Sequence, residues 1–197
     1  MTRPLVLGLT GSVGMGKSTV AQMFREEGVP VFDADAVVHR FQGPGGALVA
    51  AIETAFPGST GREGVDRASL RDRVLMDDAA RRTLEAIVHP AVGAERQLFL
   101  LEHGGCPLVV FDIPLLFETK GDALVDRVLV VSAPPEVQRR RVLARPGMTP
   151  EAFARILALQ LPDADKRARA DHVIDTGVPL AETRAAVQKL IRTLHPG

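Results

Sequence analysis

The sequence predicts an α/β protein, a three-layer α/β/α sandwich around a five-stranded parallel sheet, with a helical insert and a small lid. Three observations predict it. Five short apolar runs, 5–10, 29–33, 107–113, 126–132 and 172–175, have the near-continuous hydrophobicity of strands covered on both faces. Helix-like stretches separate several of these runs at the spacing of βαβ units. One long stretch between the second and third runs abandons the strand pattern for helical spacing.

The elements follow in order. Leu5-Val-Leu-Gly-Leu-Thr10 is apolar and stops at Gly11, as a buried strand does. A Gly-rich turn leads into a helix from about Lys17 to Glu27, which Gly28 ends in the left-handed position. Val29-Pro-Val-Phe-Asp33 reads as the second strand, with its proline at the start, where a missing N–H does least harm. From Asp35 to about Glu102, Val37, Val38 and Phe41, then Leu48, Ile52 and Phe56, then Leu70, Val74 and Leu75, and lastly Leu84, Ile87, Val88 and Val92 recur at helical spacing. Gly43-Pro-Gly-Gly46 and Pro57-Gly58 punctuate them, so short helices are expected. His89-Pro90 is expected to interrupt the last, because proline disfavours the α conformation in the residue before it.

The strand pattern returns at Pro107–Ile113 and Asp126–Ser132. Pro134–Ala144 reads as a helix opening on proline, and Thr149 as the N-cap of the next. His172–Asp175 is a last short strand, and Leu180–Leu194 a closing amphipathic helix. The expected organisation is one domain over residues 1–197: a core of 1–34 and 105–197, an insert of 35–104, and a lid of about 140–168.

Composition narrows the partners. Lys+Arg and Asp+Glu both number 24, so there is no bulk basic bias toward nucleic acid or anionic lipid. Cys106 is the one cysteine, which leaves no internal disulfide. No run of about 18 apolar residues exists to span a membrane. The N-terminus lacks a signal-peptide layout, and the expected location is the cytoplasm.

Gly11-Ser-Val-Gly-Met-Gly-Lys17-Ser18 fits G-x-x-x-x-G-K-[ST] in full, between a strand and a helix: a P-loop. Its backbone amides converge on a phosphate at a helix N-terminus. Gly11, Ser12, Val13, Gly14, Met15, Gly16, Lys17, Ser18 and Thr19 are therefore candidate nucleotide-binding residues. Lys17 puts a point charge on the β- and γ-phosphates, and the Ser18 hydroxyl can reach a magnesium ion.

Asp33 and Asp35 sit at the tip of the second strand, where open α/β sheets bind ligands. A carboxylate there can orient an acceptor hydroxyl and take its proton. Asp35 is the first candidate; the structural alternatives are a helix N-cap for Asp35 and a strand-end turn for Asp33. Arg139, Arg140, Arg141 and Arg145 precede Pro146-Gly147, a hinge-like pair. At about 100° per residue they cannot all face one way; Arg140 and Arg145 are the candidates for neutralising phosphate charge from a lid. Asp112 ends the third strand as either a magnesium-linked acid or a strand-end cap. His89 either lines an acceptor pocket or hydrogen-bonds the helix break. No cluster has zinc-ligand spacing, and no serine sits in a Gly-x-Ser-x-Gly setting.

Taken together, these segments resemble the dephospho-CoA kinase family over nearly the whole length. Leu9–Val20 is similar to that family's loop, and Asp33-Ala-Asp35 with His39 to its Asp-Ala-Asp motif. Leu84-Glu with His89-Pro90, and Asp112-Ile-Pro-Leu-Leu-Phe-Glu118, match two further signatures. Gln160, Lys166 and Ala170–Asp175 match a fifth. The resemblance implies a kinase that joins ATP and dephospho-CoA as substrates, with magnesium and phosphorylation of the ribose 3′-hydroxyl. It makes the insert a CoA-binding region and Asp35 the base. It places Asp33, Asp35, His39, His89, Pro90 and Leu115 on the acceptor side, and implies a monomer or weak oligomer. Four departures stand out: Ser12 for a glycine, Met15 for a serine, Thr176 for an asparagine, and Pro146 after Arg145 for a polar residue, which stiffens the lid.

Two rival readings accompany it. One is another P-loop kinase, for a sugar, shikimate or a nucleoside monophosphate. The other is a regulatory GTPase, since Thr119-Lys-Gly-Asp122 superficially resembles a guanine-reading loop. That segment precedes a strand, however, whereas a base-reading loop follows one.

Overall fold

The computed structural model describes residues 3–75 and 77–195. In chain order the elements are β1 (Leu5–Thr10), α1 (Lys17–Glu26), β2 (Val31–Asp33), α2 (Ala34–Gln42), α3 (Val49–Ala55), β3 (Thr60–Gly61), β4 (Gly64–Val65), α4 (Arg67–Leu75), α5 (Asp78–Glu102), β5 (Leu108–Asp112), a 3₁₀ turn (Gly121–Leu124), β6 (Arg127–Ser132), α6 (Pro135–Leu143), α7 (Pro150–Ala158), α8 (Asp163–Ala168), β7 (His172–Asp175) and α9 (Leu180–Leu194). They form two compact units: the chain up to Phe32 together with that from His103 onward, and Asp33–Glu102. The expected bounds of the insert, 35–104, lie two residues later at each end.

The first unit holds the five-stranded sheet, in the order β2-β5-β1-β6-β7. β1 pairs in parallel with β5 (Leu9 opposite Asp112) and with β6 (Leu9 opposite Leu129), and β6 pairs in parallel with β7. The expected α/β/α fold is what forms. β1 is flanked by strands on both sides and covered on both faces, so Leu7 and Leu9 are inaccessible to solvent. Val20, Met23 and Phe24 of α1 and Val187 and Leu190 of α9 close one face. α1 ends as a Schellman motif: Gly28, at φ 76°, donates to Arg25 O, and Val29 N donates to Phe24 O. The second strand is shorter than expected, because residues 29–30 are spent on this cap.

The second unit packs α2–α5 around Leu48, Ile52, Phe56, Val65 and Leu70. Two expectations need correction here. β3 and β4 form a small antiparallel hairpin that the expectation of a mostly helical insert of short helices does not place. Gly64 permits it: φ is 87°, and a Cβ there would lie 2.2 Å from Gln42 O. α5 is not broken at His89-Pro90; it runs for 25 residues with Pro90 inside. Proline removes one hydrogen bond, while Leu84, Ile87, Val88 and Ala91 pack on the cluster from both sides of it. Packing outweighs the local preference. The side chain of Leu75 lies outside the described residues.

α8 is also absent from the expectations; at six residues it is too short to show a period. Among the described residues no helix is long and apolar enough to cross a membrane.

Phe24 is fully buried between the sheet and α9. Phe24→Ala is expected to lower the unfolding free energy by about 3–5 kcal/mol, read as a shifted urea midpoint with an unchanged slope. A loss below about 1 kcal/mol would contradict its place in the core.

Candidate active site

The loop after β1 leaves amides without partners. Gly14 (φ 79°) and Gly16 (φ 83°) take the left-handed conformation, which turns the chain back over the start of α1. Gly16 is the N-cap and has no side chain to cap with. Thr19 N and Val20 N donate to Gly16 O, and Met15 N to Ser12 O. Among the described residues, the amides of Gly14, Gly16, Lys17 and Ser18 find no protein acceptor. Four such donors at the positive end of a helix dipole make an anion site. Gly14 also permits close packing, since a Cβ there would lie 2.5 Å from Val142 Cγ2.

Lys17 Nζ is ion-paired with Asp112 Oδ1, and both side chains are largely buried. Sheet register explains the meeting: Leu9 lies opposite Asp112, so the acid at the end of β5 comes level with the loop after β1. Thr10 Oγ1 donates to Pro114 O at 3.1 Å and ties the two strand ends together. Asp112 is therefore more than a strand-end cap: it orients the lysine. Ser18 is exposed at the start of α1. Among the described residues no three His, Cys, Asp or Glu side chains cluster as metal ligands. The donors on hand, one carboxylate and one hydroxyl, are hard oxygens and few. They fit magnesium, which keeps several waters and takes phosphate oxygens as its other ligands.

Of the arginine run, Arg141 is the one engaged among the described residues. Its NH1 donates to Thr176 Oγ1 at 3.2 Å and its NH2 to Thr176 O at 2.7 Å. Thr176 Oγ1 lies 2.7 Å from Met15 O. Thr176 is buried, and it braces the phosphate loop at Met15. Arg140 and Arg145 are exposed and form no ion pair among the described residues.

A cleft of about 470 Å³ opens beside the loop. Met15, Ala133, Pro134, Pro135 and Val173 form apolar walls, and Asp163, Arg167 and Asp175 add charge. Its signal in the sequence is Ser132-Ala-Pro-Pro135, a strand end followed at once by two prolines, which no motif flagged. The far end of the expected lid is firmly held, since Lys166 on α8 is wholly inaccessible. The Asp122 carboxylate of the GTPase-like segment is paired with Arg169 at 3.0 Å. Leu115, on the loop after β5, is 38% exposed.

In the second unit Asp33 is the N-cap of α2, accepting from Ala36 N at 2.9 Å. The capping role considered for Asp35 thus falls to Asp33. Asp35 stands exposed in the first turn of α2. Arg67 NH1 lies 2.7 and 3.0 Å from the two ring nitrogens of His39. His89 and Pro90 are exposed on α5, and no hydrogen bond from His89 to a helix break forms among the described residues.

Comparison with known proteins agrees with this geometry. A family described as "Dephospho-CoA kinase" matches residues 5–182. A dephospho-CoA kinase of Novosphingobium aromaticivorans is 66% identical over 195 residues, 99% of this chain and 97% of that protein. A Thermus thermophilus protein of known structure superposes with a TM-score of 0.86 at 34% identity, covering 98% of this chain and 100% of that one. A dephospho-CoA kinase from Campylobacter jejuni shares the fold, with a TM-score of 0.66 at 22% identity and 98% of each chain covered.

Lys17→Ala leaves the loop amides but removes the cation beside them. The ratio kcat/KM for ATP is expected to fall roughly 10–100-fold, the worth of a charged hydrogen bond, with the affinity for ATP reduced in a direct titration. Unchanged rates would overturn the assignment of the loop.

Proposed function

The chain belongs to the dephospho-CoA kinase family, and on that premise we propose that it transfers the γ-phosphate of ATP to the ribose 3′-hydroxyl of dephospho-CoA, giving CoA and ADP. The observation that carries the reading is the cradle of the Gly14, Gly16, Lys17 and Ser18 amides, without acceptors among the described residues, with the Lys17 ammonium beside it.

The chemistry follows from the parts. The loop amides hold the β-phosphate, and Lys17 draws charge from the β–γ bridge as it breaks. Ser18 and Asp112 would hold a magnesium ion, which would neutralise charge on the phosphate oxygens. Asp112 keeps the Lys17 ammonium from swinging into water. The cleft beside Met15 receives the adenine, its prolines packing on the base. Arg140 and Arg145, which form no ion pair among the described residues, are available to the developing charge on the transferring phosphoryl group.

Asp35 is the proposed base. Its carboxylate takes the proton of the 3′-hydroxyl as that oxygen bonds to the γ-phosphorus, and the bond from the γ-phosphorus to the bridging oxygen breaks to release ADP. Two features support Asp35 over Asp33. Asp33 spends its carboxylate on the α2 cap, and Asp35 is exposed two residues beyond it. His39, His89, Pro90 and Leu115 are proposed to contact the acceptor along with Asp33. The reading carries a cytoplasmic location, where ATP is available, and a monomer or weak oligomer with no nucleic-acid or membrane partner.

Incubation with Mg-ATP and dephospho-CoA is expected to add the mass of one phosphate to dephospho-CoA, with ADP formed in equal amount. Turnover of a sugar, shikimate or a nucleoside monophosphate with none of dephospho-CoA would contradict the reading. Asp35→Asn is expected to lower kcat roughly 10²–10⁴-fold with ATP affinity nearly intact; a near-normal kcat would assign the proton to another group.

A further inference from the structure

The phosphate loop is gripped at one residue, Val13, through the two peptides on either side of it. Val13 N donates to Gln160 Oε1 at 3.1 Å, and Gln138 Nε2 donates to Val13 O at 2.8 Å. Gln138 comes from α6 and is buried. Gln160 comes from the turn after α7, where Leu159 and Gln160 donate back to Ile156 O and Leu157 O. Val13 immediately precedes Gly14, whose amide finds no acceptor among the described residues. Fixing the peptides on both sides of Val13 therefore fixes the direction in which the cradle begins.

Gln160 is itself held by a buried pair. Leu161 N, the next amide, donates to Glu118 Oε1 at 2.8 Å. Lys166 Nζ approaches that same oxygen at 2.8 Å, as an ion pair rather than a well-angled hydrogen bond. Lys166 is wholly inaccessible, and the Glu118 side chain is 17% exposed. Burial pushes the Glu118 carboxyl up, but the Lys166 ammonium and the Leu161 amide outweigh it and hold the acid below its ordinary range. Burying two charges carries a desolvation cost that is offset only by close pairing and further hydrogen bonds, here the one from Leu161 N. Glu118 lies six residues after Asp112, on the loop tied to Thr10 through Pro114 O. One loop thus orients Lys17 at its start and the base of the lid at its end.

We infer that the Glu118–Lys166 pair is a positioning device for the phosphate loop: it sets the Leu161 amide, and through it the Gln160 carboxamide, so that Val13 and the amides after it face the nucleotide. Gln160 and Glu118 act through the loop and touch no reacting atom. The inference rests on the loop binding the ATP phosphates.

Gln160→Ala and Glu118→Gln are the variants, alone and combined, in the full chain. Glu118→Gln keeps the shape and removes the charge that holds Lys166. Each single change is expected to raise KM and Kd for ATP about tenfold, with kcat changed less than threefold. The double variant is expected to be no worse than the more impaired single one, since both act on one peptide. Fully additive losses would overturn the inference, as would unchanged ATP affinity in Gln160→Ala. A lower melting temperature with KM and Kd intact would assign the pair to stability alone and would equally overturn it. Absence of ATP binding by the unaltered protein would instead overturn the functional reading itself.

Discussion

The backbone amides of Gly14, Gly16, Lys17 and Ser18 find no partner among the described residues, and most of the site is arranged around that deficit. A helix must satisfy its first N–H groups with a cap, water or a ligand. Here the cap position is Gly16, which has nothing to offer, and left-handed glycines aim the neighbouring amides inward. Such a site is bound to favour an anion of high charge, and the Lys17–Asp112 pair adds a cation whose direction is already set.

Preorganisation is the theme that joins the rest. A loop whose amides must point at a phosphate gains from being stiff before the phosphate arrives, because ordering then costs less on binding. Thr176 and Arg141 brace it at Met15, and two glutamines hold Val13. Thr176 and the two glutamines reach it from parts of the chain more than a hundred residues away, and Arg141 acts through Thr176. The sheet brings them there: β1 lies at the centre, so the loop after it is surrounded by the carboxyl ends of β5 and β6.

What could be read in the sequence was whatever is local. The strand–turn–helix of the loop is written in consecutive residues, as are Thr149 as a cap and Gly28 as a stop. What could not be read depends on register and rotation. That Asp112 meets Lys17 follows from which residue of β5 faces Leu9. That Arg141 rather than Arg140 turns inward follows from the burial of Gln138 and Val142, which fixes the face of α6. Val142 was a usable signal, since Arg141 flanks it and Arg140 lies farther round. The hairpin at Thr60–Val65 was hidden because two-residue strands have no period. The unbroken α5 was hidden because proline chemistry is local and the packing that overrides it is not. Asp33 and Asp35 were marked together by position, but which one caps α2 was decided by backbone geometry.

Amide chemical shifts give the most direct view of the cradle. In an ¹⁵N-labelled sample titrated with Mg-ATP, the largest shifts are expected at Gly14, Gly16, Lys17 and Ser18, with Val13 moving less because Gln160 already holds it. Saturable ATP binding that left those four amides in place, with its largest shifts on another surface, would contradict the account.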